Sequence, residues 1–442
     1  MPLLLAHPLT EDAGLGLPPL ALAAVATVIV AAVLTLSKRW SATGEPDEAG
    51  LADIAVALGR ARCVTRALAV AVLVLGIYAA RRGSPDGLAN LAPALVVGVA
   101  WPLLVLGSVA LPRLWRWVDP WDAVARAIEP LAGSAPADGP VPADATTGDP
   151  SAGYSSGDAS IADASSAAAL EAVQPAGSVW PGVVAAAAVM YFLIALPTST
   201  QPRSVGAALA AYTIVMVAIG VALGRYALAR TEVFGLTARW AGHLRSGFAA
   251  RWLVPEGAEA VLGVLAGGLL FDLARRAPGY DEALTTGRLS WASTGDADRD
   301  VLLGLAICAL VGAVTLHLFG RWAARRGAAG SVAAAALPVV LALVVVVKLR
   351  RFLVSLQLVR ILVSDPLGRG VDLFGTAGGS LDANPFGTTA QRVTAIVVVT
   401  LAGVAGAIAV RRRTRTGRQR EPAGYAVYLL VALGTMGLAV AA

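Results

Sequence analysis

The sequence predicts an all-α protein, a polytopic bundle of about ten transmembrane helices with two interfacial amphipathic helices. Three observations carry this. Hydrophobic residues make up 57% of the 442-residue chain and charged residues only 14%, against about 25% charged in ordinary soluble proteins. Mean hydropathy is +0.70. The apolar residues come in runs of span length, separated by arginine-bearing stretches. A soluble core cannot hide this much apolar surface, whereas a bilayer can. The composition therefore excludes soluble enzymes, nucleic-acid-binding proteins and disordered proteins, and makes the lipid bilayer the first partner.

A span needs ~20 mostly apolar residues, or about 17 at the short end. The candidate runs are 18–37, 64–80, 88–112, 179–197, 205–224, 258–272, 301–319, 331–347, 393–410 and 424–441. Segment 258–272 is the shortest, and 352–364 is too short to cross alone. Stretch 331–364 has two readings. It is one long tilted helix, or a span followed by a half-helix that dips back and needs protein around its backbone.

Charge sets the orientation. Residues 1–17 hold no Lys or Arg, unlike a secretory signal, and Lys38-Arg39 follow the first run. That predicts an N-terminus outside a cytoplasmic membrane. With this alternation Lys and Arg number 21 in the inner stretches against 13 in the outer ones. Arg411-Arg412-Arg413 anchor the bias. Eight of the ten tryptophans, among them Trp115, Trp121, Trp180 and Trp240, fall on or near the same inner face.

Residues 133–178 carry six acids, no Lys or Arg, and little apolar surface to bury. They are expected to form a disordered cytoplasmic linker between a three-span part, 1–132, and a seven-span part, 179–442. No repeat relates the two parts. Cys63 and Cys308 are too few for a disulfide framework, and no Cys/His spacing suits a metal. Neither metal nor cofactor is expected.

Several places could carry chemistry. Asp119-Pro120-Trp121-Asp122 has the pattern of a helix start, with Asp119 as cap and Pro120 at the first position. Trp117, Trp121, Val124, Ile128 and Leu131 follow at three- and four-residue spacing, as in an interfacial amphipathic helix. A site role for Asp119 is the other reading. A second interfacial helix is expected over 231–254, where Trp240, Leu244, Phe248 and Trp252 recur every four residues. His317, inside an apolar run, is either a site group or a helix-to-helix hydrogen bond. Asp272 closes the run 258–272 and is either interfacial or in a polar cavity. Gly220/Gly224 and Gly263/Gly267 have the spacing of close helix packing.

The densest polar cluster is 364–376. Ser364, Asp365, Pro366, Gly368, Arg369, Gly370, Asp372, Phe374, Gly375 and Thr376 form a turn-rich outer loop. It lies beside the basic run that holds Lys348, Arg351 and Arg360. It is not a dinucleotide loop, because position 373 is Leu and no strand precedes it. One reading is a salt-bridged structural loop. The other is a cavity lining in which Asp365, Asp372, Arg369, Lys348 and Arg351 face an anionic or polar ligand.

The run Ser-Asp-Pro-Leu-Gly-Arg-Gly-Val-Asp-Leu-Phe-Gly-Thr at 364–376 resembles a motif of the fenitrothion hydrolase family of bacterial integral membrane proteins. Other marks are similar in order: Asn90-Leu91-Ala92-Pro93, Asp119-Pro120-Trp121 (Asn-Pro-Trp in the family), Phe234-Gly235-Leu236 and Phe271-Asp272. The resemblance runs from about residue 88 to the C-terminus and implies hydrolysis of phosphotriesters. The chain departs from the family after Pro338, where Val344 and Val347 stand in place of histidines and Lys348 follows.

The leading expectation is a transporter-like protein with a polar cavity open to the outside, lined by the span 331–347 and the 364–376 loop, with His317 and Asp272 as further candidates. The alternatives are a membrane-embedded organophosphate-ester hydrolase subunit, and a structural or assembly protein. The partner beyond lipid, a small molecule or a protein, is not readable from the sequence.

Overall fold

The computed structural model describes residues 48–111, 114–129, 178–196, 200–245, 254–277, 279–285, 293–376, 379–385 and 387–413. The expected spans 18–37 and 424–441 and nearly all of the linker 133–178 lie outside them. Among the described residues there are fourteen helices and no strand. In chain order they are α1 (Glu48–Arg82), α2 (Leu91–Ala110), α3 (Leu114–Val118), α4 (Pro120–Ile128), α5 (Trp180–Ala195), α6 (Pro202–Ala222) and α7 (Gly224–Thr231). There follow α8 (Val233–Arg245), α9 (Ala258–Ala274), α10 (Tyr280–Thr285), α11 (Ala297–Arg325), α12 (Ser331–Val347), α13 (Leu349–Leu362) and α14 (Gly387–Arg413).

Among the described residues five stretches are long and apolar enough to cross a membrane: Arg62–Arg82 of α1, α2, α6, α11, and Thr389–Val410 of α14. The bent pair α12–α13 makes a sixth. The described residues are thus all-helical, with five or six long apolar helices among them, as in a membrane-embedded protein. Two other expected spans are short helices: α5, and α9, whose 17 residues stand at the short end of span length. The outer faces are aliphatic. Leu68, Val74, Ile214, Leu310, Val311 and Val404 are all exposed large side chains. A face so apolar is suited to lipid chains rather than water.

The core sits around α12. All of its residues are buried except Val345, which is partly so. It packs on α9, α14, α11 and α8. An apolar helix enclosed on every side can only be held this way, because it has no polar face to give to solvent. After Val347 the path turns by 55° into α13, at Lys348. So 331–364 is two helices with a bend between them rather than one long tilted helix, and α13 packs back on the first half of α2.

Helices α9 and α11 run antiparallel at close range. A side chain at Gly263 would strike the backbone of Gly312, and one at Gly267 the backbone of Cys308. The Gly263/Gly267 spacing therefore works as a contact between backbones. Within α2 the turns from Ala94 to Ala100 are of the wide π type, just before Pro102. Proline lacks a donor and crowds the carbonyl four residues back, and a wider turn relieves both.

Helix α8 corrects one expectation. It was predicted at the interface, yet Val233, Leu236, Ala238, Trp240 and Ala241 are buried and His243 is half-buried. It packs on the second half of α2 and on α5 and α12. The four-residue spacing of Trp240 and Leu244 was real, but the opposite face is apolar too, so the helix is enclosed. Trp252 and residues 246–253 lie outside the described residues. Helix α4 does have one buried face, through Trp121 and Ala125 against α6, and an exposed end at Ile128.

Candidate functional site

The expected site residues fall into four separate places. The first is a buried charge centre. Asp272, on the last turn of α9, is wholly buried, and Lys348, at the α12–α13 break, is 3% exposed. Lys348 Nζ donates to Asp272 Oδ2 at 2.8 Å. Arg276 reaches the same oxygen at 2.7 Å, and Arg275 Nε reaches Oδ1 at 3.0 Å. Arg351, one turn beyond Lys348 and half-buried, adds a further positive charge close enough to act on the ammonium. One carboxylate thus faces several cations, and the balance is positive.

Depth follows from packing. Phe271 lies against Gly304, three residues past Val301, where the apolar run of α11 begins after Asp298, Arg299 and Asp300. At 1.5 Å per residue this puts the Asp272 region about 5 Å inside that run. A broken span with a charged residue at its break is also where membrane proteins expose backbone groups and charge to a solute.

The second place is the 364–376 loop, which is held on itself and on its neighbour. Asp365 accepts the backbone N–H groups of Arg369 at 2.9 Å and Gly370 at 2.6 Å. Buried Ser364 donates to Asp372 and accepts from the Phe374 N–H at 2.7 Å. Thr376 donates to the Arg360 carbonyl. The loop docks on the turn before α2, where the Ser84 N–H donates to the Leu367 carbonyl at 2.8 Å and Arg369 reaches the Arg82 carbonyl. Asn90 braces that turn, donating to the carbonyls of Ala79 and Ser84 and accepting from the Ala92 N–H. Gly368 has φ +64° and touches the Ala89 carbonyl, so only glycine fits there. Pro366 is half-buried, whereas Gly370, Gly375 and the Phe374 ring are exposed.

These two places are not one cavity. Fourteen residues of α13 hold the loop about 20 Å from Lys348 along the helix. His317 is a third place. Its ring meets Trp180 edge-on, with centroids 5.1 Å apart, toward the opposite end of α11.

The fourth place joins Asp119-Pro120-Trp121 to Phe234-Gly235-Leu236. Asp119 caps α4, accepting from the N–H groups of Trp121 at 3.1 Å and Asp122 at 3.0 Å. Trp121 stacks on Phe234 at 6.2 Å and meets Tyr212 edge-on at 5.3 Å. Trp101 meets Phe234 from α2 and donates from its indole to Thr237 at 3.1 Å. Buried beneath these rings is Glu232, a residue the sequence reading did not single out. It is 1% exposed. Tyr212 donates to its Oε1 at 3.1 Å, and the Phe234 N–H does so at 2.8 Å. The Gly235 N–H donates to Oε2. Burial, reinforced by the Asp119 charge, pushes the Glu232 carboxyl up to about 8. Burial likewise pushes Asp119 up to about 6. The signal that could have found Glu232 is an acid directly before a run apolar on both faces.

Among the described residues, no three His, Cys, Asp or Glu side chains come together as a group that could hold a metal. Comparison with protein-family models, with curated proteins and with solved structures finds no match.

Proposed function

We propose that this protein moves a small anionic solute across a membrane, and that the Asp272–Lys348 centre is where the solute is met. The observation that carries this is the buried ion pair at the 55° break of the α12–α13 span. Burying charge in an apolar bundle is costly, and an apolar pair of similar size is often as stable or more so. A charge kept there is best accounted for by a solute that uses it. The surplus of cations, Lys348, Arg275, Arg276 and Arg351 around one carboxylate, favours an anion. An incoming carboxylate or phosphate competes with Asp272 for the Lys348 ammonium, which frees the break in the helix to change its angle.

The 364–376 loop holds α13 to the turn before α2 in this reading, and so fixes one end of the moving half-span. The test is flux into proteoliposomes holding the purified chain, with inorganic phosphate, sulfate, acetate and succinate as probes. Flux of at least one above that of empty liposomes is expected. Hydrolysis of a phosphotriester by the same vesicles, with no flux, would replace this reading by the one the family resemblance implies.

A further inference from the structure

A second buried polar site lies at the start of α8, and the charge centre above makes no use of it. The Glu232 carboxyl interrupts the path between α7 and α8, with extended backbone at ψ 110°. Its position is deep. Tyr212, its hydrogen-bond partner, is the eleventh residue of the 21-residue α6. Trp101, which bonds Thr237 one turn further on, is the eleventh of the 20 residues of α2. The start of α8 therefore sits near the middle of two spans.

The charged and titratable groups facing Glu232 are few. Its own helix offers Arg239, whose guanidinium donates to the Ala229 carbonyl rather than forming an ion pair with Glu232. Helix α6 offers Tyr212, and the corner between α3 and α4 offers Asp119. Of the other helices that pack on α8, α2, α5 and α12 hold no charged residue, α3 holds Arg116, and α7 holds Arg225, Tyr226 and Arg230. An acid in such a place is unfavourable in its ionised form. It nevertheless has partners in both forms. The carboxylate takes hydrogen bonds from Tyr212, Phe234 and Gly235. The acid can turn its own O–H toward the Tyr212 oxygen, which already accepts from the Val233 N–H.

A further donor waits beside it. Trp115 is 3% exposed, and its indole N–H has no hydrogen-bond partner. That nitrogen and Glu232 Oε2 both press on the spot where a side chain at Gly235 would begin. Capping of α8 explains the bonds to Phe234 and Gly235, and an Asp or Ser would serve that purpose. It does not explain a longer acid that reaches Tyr212 and lies next to an unused indole donor.

We propose that Glu232, with Tyr212, Asp119 and the Trp115 indole around it, is a proton-binding site at mid-depth in the bundle. The O–H bond of the acid breaks to leave the carboxylate, and the proton passes to water. The site works whichever solute the bundle moves, so it stands or falls apart from the charge centre.

The test is infrared titration of the full chain in lipid. Wild type is expected to show a protonated carboxyl C=O band that disappears as pH rises through the neutral to mildly alkaline range, and Glu232→Gln should lack it. Asp119→Asn should keep the band but lose it at lower pH, since one repelling charge is gone. Tyr212→Phe removes a donor to the carboxylate and should move the loss to higher pH, which serves if Glu232→Gln does not fold. A titration unchanged in Glu232→Gln or in Tyr212→Phe, or no titrating carboxyl in wild type, would overturn the proposal.

Discussion

Lys348 Nζ and Asp272 Oδ2 lie 2.8 Å apart across 76 residues of sequence, and both side chains are shut away from solvent. The pair ties the break in the α12–α13 span to the end of α9. Asp272 is also held by Arg275 and Arg276, three and four residues further on, so three cations fix its orientation.

Removing Asp272 leaves the Lys348 ammonium as an unpaired buried charge, which costs about 3–5 kcal/mol. Asp272→Asn should therefore lower the thermal unfolding temperature in detergent strongly, whereas Lys348→Met leaves the carboxylate paired with Arg275 and Arg276 and should cost less. The double variant Asp272→Asn/Lys348→Met should recover much of the Asp272→Asn loss, because the buried ammonium is gone as well. Equal stability of Asp272→Asn and wild type would show that the two groups do not meet.

Gly235 has no room for a methyl group, since Trp115 and Glu232 already occupy the place. Overpacking of this kind costs about 1–3 kcal/mol. Gly235→Ala should lower the melting temperature, whereas Gly370→Ala, with open space around it, should cost only the strain of its positive φ. Melting curves of the two variants side by side check this.

Stability should fall as pH rises from mildly acidic values. The unfolded chain releases the Glu232 proton near its ordinary value of 4.5, while the folded chain keeps it to about 8. Between those values the native state binds more protons, so the stabilisation present below pH 4.5 is lost progressively up to about 8 and then levels off. Asp119 adds the same sign between 3.8 and about 6. Glu232→Gln should flatten the upper part of the curve. An unfolding temperature that rises with pH over this range in wild type would contradict it.

Asp365 fastens the loop through two backbone N–H groups. Losing both should loosen the loop by about 1–3 kcal/mol. Asp365→Ala should then speed proteolysis between 364 and 376 while leaving the unfolding temperature nearly unchanged. Proteolysis at the wild-type rate would show that the bonds of Ser364, Thr376, Arg369 and Leu367 hold the loop without Asp365.

The helical bundle was legible because apolar runs of span length have one physical explanation. The candidates Asp272, Lys348 and Arg351 were legible as charges in apolar surroundings. Their pairing was not, since nothing local records a contact across 76 positions. Helix α8 was misplaced because periodicity reports one apolar face and cannot say whether the other is covered. Its depth depends on α2, α5 and α12. Glu232 was missed for the same reason: beside Arg230 and Thr231 it reads as part of a solvated stretch. His317 and the 364–376 loop were expected in one cavity with Asp272, and the lengths of α11 and α13 keep them apart.

The central claim is that the Asp272–Lys348 centre meets an anion on its way through the bundle. The most direct measurement is anion flux into proteoliposomes, wild type beside Asp272→Asn/Lys348→Met, with both proteins shown to be folded. The account predicts flux of at least one of phosphate, sulfate, acetate or succinate in wild type and its loss in the double variant. Equal flux in the two, or none in wild type, would contradict it.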